Sequence, residues 1–112
     1  MSIKMGYVSD TYEVKRGIID AASSGDNTIV SAVAGKKIIV VQYCIVAAGS
    51  VNVRFESGAS GAALTGQMTL TTNSGISDRF EFGLFETEAG ELLNLELSDA
   101  VSVDGYLSYI EV

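Results

Sequence analysis

The chain has no histidine, no proline and no tryptophan among its 112 residues, and a single cysteine, Cys44. Each absence removes a class of chemistry. Without histidine, a serine or cysteine nucleophile lacks its usual base, and the commonest transition-metal ligand is missing. One cysteine closes no disulfide within the chain, which fits synthesis in a reducing compartment such as cytoplasm. A saccharide cleft ordinarily uses tryptophan, and there is none. With no proline to blunt sheet edges, edge protection falls to charge, to bulges or to a neighbouring subunit.

Basic residues are also scarce, 7 against 14 acidic ones, for a net charge of -7. The imbalance is uneven: residues 1–37 sum to +1 and residues 38–112 to -8. An acidic body repels phosphate backbones and anionic membrane surfaces, so neither nucleic acid nor membrane is an expected partner. The start of the chain shows no apolar stretch behind a basic one, so no ordinary secretory signal is read there. No apolar run approaches the roughly 20 residues of a membrane helix.

What the chain does have is apolar content, 47% of its residues, organised as short alternating segments cut by glycines. Val51, Val53 and Phe55 alternate with Asn52, Arg54 and Glu56, and Leu93, Leu95 and Leu97 alternate with Asn94, Glu96 and Ser98. Strict alternation is the mark of a strand with one buried face. Lys36–Ala47 reads as the longest strand, its Ile38-Ile39-Val40-Val41 run covered on both faces. Phe80, Phe82 and Leu84 read as the inward set of another strand, and Tyr106 and Tyr109 as opposite-facing residues of the last one. Ser57–Ala63 and Thr71–Asp78 read as polar loops.

Seven or eight such strands, with turns at the spacing of sandwiches, predict one all-β domain over residues 18–112: an antiparallel β-sandwich. Residues 1–17 predict an extended N-terminal arm. Its basic and aromatic residues Lys4, Tyr7, Tyr12, Lys15 and Arg16 form the candidate partner-binding set. A small domain this apolar is also expected to cover surface against copies of itself.

Candidate chemistry is thin. Cys44 reads as a small buried hydrophobe, and Ser60 lacks both a nucleophile-elbow spacing and a base. The glycines match no phosphate loop. Glu86, Glu88 and Glu91 around one turn, with Asp99 and Asp104 near another, offer oxygen ligands for a hard cation, although their spacing fits no known loop and solvated turns carry such charges routinely. Neither a catalytic residue nor a cofactor or metal is expected.

The C-terminal half carries a pattern. Gly83, Phe85, Thr87, Gly90, Leu93, Leu95, Leu97 and Ser98 spell G-x-F-x-T-x-x-G-x-x-L-x-L-x-L-S, and Gly105, Leu107 and Tyr109 spell G-x-L-x-Y, after the strand Gly35–Val41. Over residues 27–112 this resembles small virion proteins of tailed bacteriophages. The resemblance implies a jelly-roll-like sandwich without enzymatic activity, acting as a capsid decoration (cement) protein that braces the shell. It implies a homotrimer, the major capsid protein as partner, and a place on the virion after synthesis in the host cytoplasm. The alternative it leaves open is a receptor- or carbohydrate-binding module of a tail fibre or spike, using loops Ser57–Ala63 and Thr71–Asp78 at one end of the sandwich.

Overall fold

The structure is a computed structural model, and it describes residues 12–112. Lys4 and Tyr7 lie outside the described residues. The described residues form an antiparallel β-sandwich of ten strand segments with no helix among them: β1 (Lys15–Ala21), β2 (Thr28–Val30), β3 (Ile38–Ala47), β4 (Val51–Ser57), β5 (Ala62–Ala63), β6 (Met68–Leu70), β7 (Gly75–Arg79), β8 (Phe85–Glu86), β9 (Leu93–Leu97) and β10 (Val103–Glu111). One sheet runs β1-β10-β3-β7, with β8 also on β3; the other runs β2-β9-β4-β5, with β6 also on β4.

The ten segments reduce to eight strands. β5 pairs with Glu56 and Ser57 and β6 with Val51–Val53, so both lie along one edge of β4. β7 and β8 lie in the same way along one edge of β3. First pairs with last, second with next to last, third with sixth and fourth with fifth, which is the nested connectivity of a jelly roll.

The core follows the alternation. Val51, Val53 and Phe55 meet Leu93, Leu95 and Leu97 on the inner face of the β2 sheet, all 3% exposed or less. Ile19, Ala21, Tyr43, Ile45, Ala47, Val103 and Leu107 supply the opposing layer. At the centre Phe55 packs its ring 5.1 Å from both Tyr43 and Phe85.

Three expectations require correction. The arm does not extend to residue 17: Lys15, Arg16 and Gly17 pair with Tyr109, Ser108 and Leu107 as the start of β1, and Lys15 Nζ lies 2.7 Å from Glu111 Oε1. Thr71–Asp78 is only half loop, because Gly75–Asp78 pairs with Tyr43–Val46. Phe80 and Phe82 do not face the core. There the strand breaks into a turn in which Gly83 N donates to Phe80 O, with Gly83 at φ +104°, and each ring is left 53% exposed. A register shift on the facing strands, between Ser108 and Tyr109 of β10, inserts Val41 as an extra residue and reverses which β3 side chains point inward. Ile38 and Val40 point inward before the shift, and Tyr43, Ile45 and Ala47 after it; within the apolar run Val41 is buried as well and Ile39 half-buried, so the run is largely covered on both faces.

Candidate functional site

Period-two alternation on four paired strands puts a regular array of side chains on the outer face of the β1 sheet. The registers sort it into three rows. Arg16, Ser108, Gln42 and Arg79 form the first; Ile18, Tyr106, Cys44 and Ser77 the second; Asp20, Asp104, Val46 and Gly75 the third. The middle of this face is apolar and open. Ile18 is 81% exposed, Val46 47% and Tyr106 36%, and Cys44 is half-buried, not the enclosed hydrophobe expected from its strand. Arg16 lies across the Tyr106 ring, its guanidinium carbon 5.0 Å from the centroid, which holds a cation flat on the face.

The candidate partner-binding set is thus divided. Arg16 belongs to this face. Lys15 is tied to Glu111 at the end of β10, and that contact raises its pKa above the ordinary lysine value. Tyr12 lies in a bend three residues ahead of β1 and is half-buried.

A second polar cluster covers the outer face of the β2 sheet. Glu56 is fully buried there and takes hydrogen bonds from Arg54 Nε at 2.6 Å and from Asn94 Nδ2 at 2.8 Å. Asn94 Nδ2 also donates to Asp26 Oδ1 at 2.8 Å, and Asp26 takes two further bonds from Ser60, one from its N–H and one from its hydroxyl. Those bonds from Ser60 hold the Asp26 carboxyl below the ordinary aspartate value. Glu96, 3.0 Å from Arg54, moves the other way: a hydrogen bond with Glu56, then burial, raises its pKa. Among the described residues no buried side-chain nitrogen or oxygen lacks a hydrogen-bond partner, and the cluster pins the β4–β5 loop to the β1–β2 turn through Asp26 and Ser60.

The acidic residues singled out in the sequence do not converge. Glu86 pairs with Lys37 at 3.1 Å, Glu91 accepts from the Ser57 hydroxyl, Asp99 accepts from Ser98, and Asp104 stands in the third row of the β1 face. Among the described residues no group of three or more acidic or sulfur side chains is placed to hold a metal ion. The two loops proposed for a recognition tip lie at opposite ends of β4: Leu70, which leads into Thr71, pairs with Val51, and Ala62 pairs with Ser57. Beside the first, an open depression of about 210 Å³ is lined by Asn52, Thr69, Thr71, Ser98 and Asp99. Its Ser98 hydroxyl donates to Asp99 Oδ2 and accepts from Asn52 N of β4.

No protein-family model and no curated protein sequence matches the chain. A solved structure does share its fold: a chain of Bacillus endospore appendages, which form disulfide-linked pili, superposes with a TM-score of 0.52 at 17% identity, over 90% of this chain and 86% of that one. At that identity the likeness concerns the sandwich itself.

The open face was missed in the sequence. Its signal was present as an apolar residue in phase with polar ones, Ile18 between Arg16 and Asp20, but the neighbouring Ile19 hid the phase.

Proposed function

We propose that this protein is a non-enzymatic structural subunit that works by association, and specifically that it decorates the outer surface of a bacteriophage capsid and stabilises the shell. The observation that carries the reading is the open apolar row Ile18–Tyr106–Cys44, with Val46 beside it, on a sheet whose inner face already completes the core. Exposed apolar residues grouped on one flat face mark a contact surface rather than a catalytic one. The acidic body disfavours contact with packaged nucleic acid, and the neutral-to-basic segment leading into β1 suits docking on an acidic shell. In this reading the shell contact rests with Lys4, Tyr7 and Tyr12, while the β1 face serves association between copies. The phage resemblance implies three copies; the charge pattern of the face argues for two.

The test is direct. Purified protein is added to undecorated capsids of the virus that encodes it, and binding and heat resistance of the shell are measured. Saturable binding with a raised disruption temperature supports the reading, and absence of binding at micromolar protein ends it. The protein should also be found by mass spectrometry in washed virions.

A second reading, a subunit of a polymeric appendage, is favoured by the shared fold with the endospore pilus chain. Polymerisation through disulfides alone needs two thiols per copy, and these 112 residues hold one. A polymer of this chain would therefore be held by non-covalent contacts, visible by electron microscopy as filaments in the purified protein.

A further inference from the structure

We infer that the outer face of the β1 sheet pairs with the same face of a second copy about a two-fold axis lying in the interface and running across the strands. The inference rests on the reading of this face as an association surface and names its occupant.

Charge makes the choice. The first row presents Arg16 and Arg79, the third Asp20 and Asp104, and the apolar row lies between them. Asp20 and Asp104 stand directly opposite each other across β1 and β10, an arrangement that costs stability within one sheet unless a cation approaches. Among the described residues no ion pair engages Arg16, Arg79, Asp20 or Asp104. A two-fold axis across the strands lays the first row of one copy over the third row of the other, so Arg16 reaches the Asp20–Asp104 pair of the second copy. Both symmetry-related contacts form at once, as an isologous interface requires. The same operation lays the middle row on itself, Ile18 on Ile18 and Tyr106 on Tyr106. An axis along the strands instead sets each row on its own copy in reversed strand order, so Arg16 meets Arg79, while Asp20 and Asp104 fall on Gly75 and Val46 and gain no cation. Charge therefore selects the first geometry.

The patch is small. Seven residues of β1 by four strands make a face of roughly 20 Å by 19 Å, less than a standard stable interface. The pairing is accordingly weak in solution and gains from neighbouring copies on a lattice. Facing sheets sit about 10 Å apart, so the two Cys44 thiols lie near the axis, beyond direct disulfide reach but within that of a short bismaleimide.

Two single charge reversals test this. In Arg16→Glu the introduced carboxylate faces Asp20 of the second copy; in Asp20→Arg the introduced guanidinium faces Arg16 of the second copy. Each variant alone should self-associate about tenfold more weakly than the wild type, by sedimentation equilibrium at low salt. An equimolar mixture of the two should recover dimer, because every cross-contact becomes opposite in sign. Circular dichroism establishes that each variant is folded. Should one fail to fold, the folded wild type alkylated at Cys44 with a bulky maleimide replaces it, with loss of dimer expected. A wild type that stays monomeric up to about 1 mM protein or is trimeric, single variants that associate as well as wild type, or a mixture that stays monomeric overturns the two-fold pairing. Capsid binding by the wild type, measured beside its own self-association, separates the two readings. Shell binding without two-fold pairing sinks only the pairing, and pairing without shell binding sinks only the decoration role.

Discussion

Asn94 Nδ2 donates at 2.8 Å to Asp26 Oδ1 and at 2.8 Å to Glu56 Oε1, so one buried amide joins two carboxylates carried by different segments. Its own Oδ1 accepts from Asn27 N at 2.8 Å, which brings β2 to β9. Replacing Asn94 by Ala leaves a carboxylate oxygen of the fully buried Glu56 without this donor. A buried acceptor deprived of its partner costs about 1–3 kcal/mol, and Asn94→Ala should lower stability by that amount in urea unfolding. Asn94→Asp should cost more at neutral pH than Asn94→Ala, since it adds a third carboxylate at the point where the amide stood.

The same cluster sets an acid response with two opposed parts. Glu96, its pKa raised by Glu56 and by burial, contributes stability that is present below the ordinary glutamate value and is lost as pH rises through the raised native one. Asp26, its pKa lowered by the Ser60 bonds, contributes stability that is present above the ordinary aspartate value and is lost as pH falls through the lowered native one. Glu96→Gln keeps a donor for Glu56 and removes the charge, so it should raise the melting temperature at neutral pH and converge on wild type in acid. Asp26→Asn should do the reverse, lowering it at neutral pH and converging in acid. Melting curves from roughly pH 3 to pH 8 read both. Parallel curves for either variant would refute its assignment.

Gly105 sits where β10 crosses β3, and a Cβ there would lie 1.8 Å from the Cys44 carbonyl oxygen. That oxygen is backbone and cannot swing aside as a side chain would. Gly105→Ala must therefore push two central strands of the β1 sheet apart. The expected cost is about 3 kcal/mol or more, measured by chemical unfolding, with accumulation in the insoluble fraction on expression as the cruder sign. Gly66 supplies the control: no atom lies within 4 Å of its added Cβ, and Gly66→Ala should change stability little.

How far the sequence led can be seen in particular segments. The inward sets of Val51–Phe55 and Leu93–Leu97 were legible because alternation encodes one buried face; Glu56 and Asn94 on the other face are nonetheless fully buried, held by the polar cluster that alternation does not report. β1 was not. In KRGIIDA the inward set is Gly17, Ile19 and Ala21, and the outward set includes Ile18, so hydrophobicity carries no period. The open face of the β1 sheet is assembled from four strands distant in sequence, and only their registers bring Arg16, Tyr106, Cys44 and Asp104 together. Composition alone had no means to single out this face.

Two groups of aromatic residues test the distinction between core and surface. Phe80 and Phe82 alternate as core residues should, yet they stack edge to face with centroids 5.6 Å apart on a turn, about half exposed. Phe55 is fully buried between Tyr43 and Phe85. Truncating a buried phenylalanine removes its transfer free energy and leaves a cavity, so Phe55→Ala should cost about 3–5 kcal/mol. Replacing Phe80 and Phe82 together by Ser gives up the edge-to-face pair and the covered half of each ring, about 2 kcal/mol. Urea midpoints of the two variants should differ accordingly, with unchanged slopes. A double surface variant as unstable as Phe55→Ala would mean that the β7–β8 turn packs its rings inward, and that the alternation through Phe80, Phe82 and Leu84 reported the core after all.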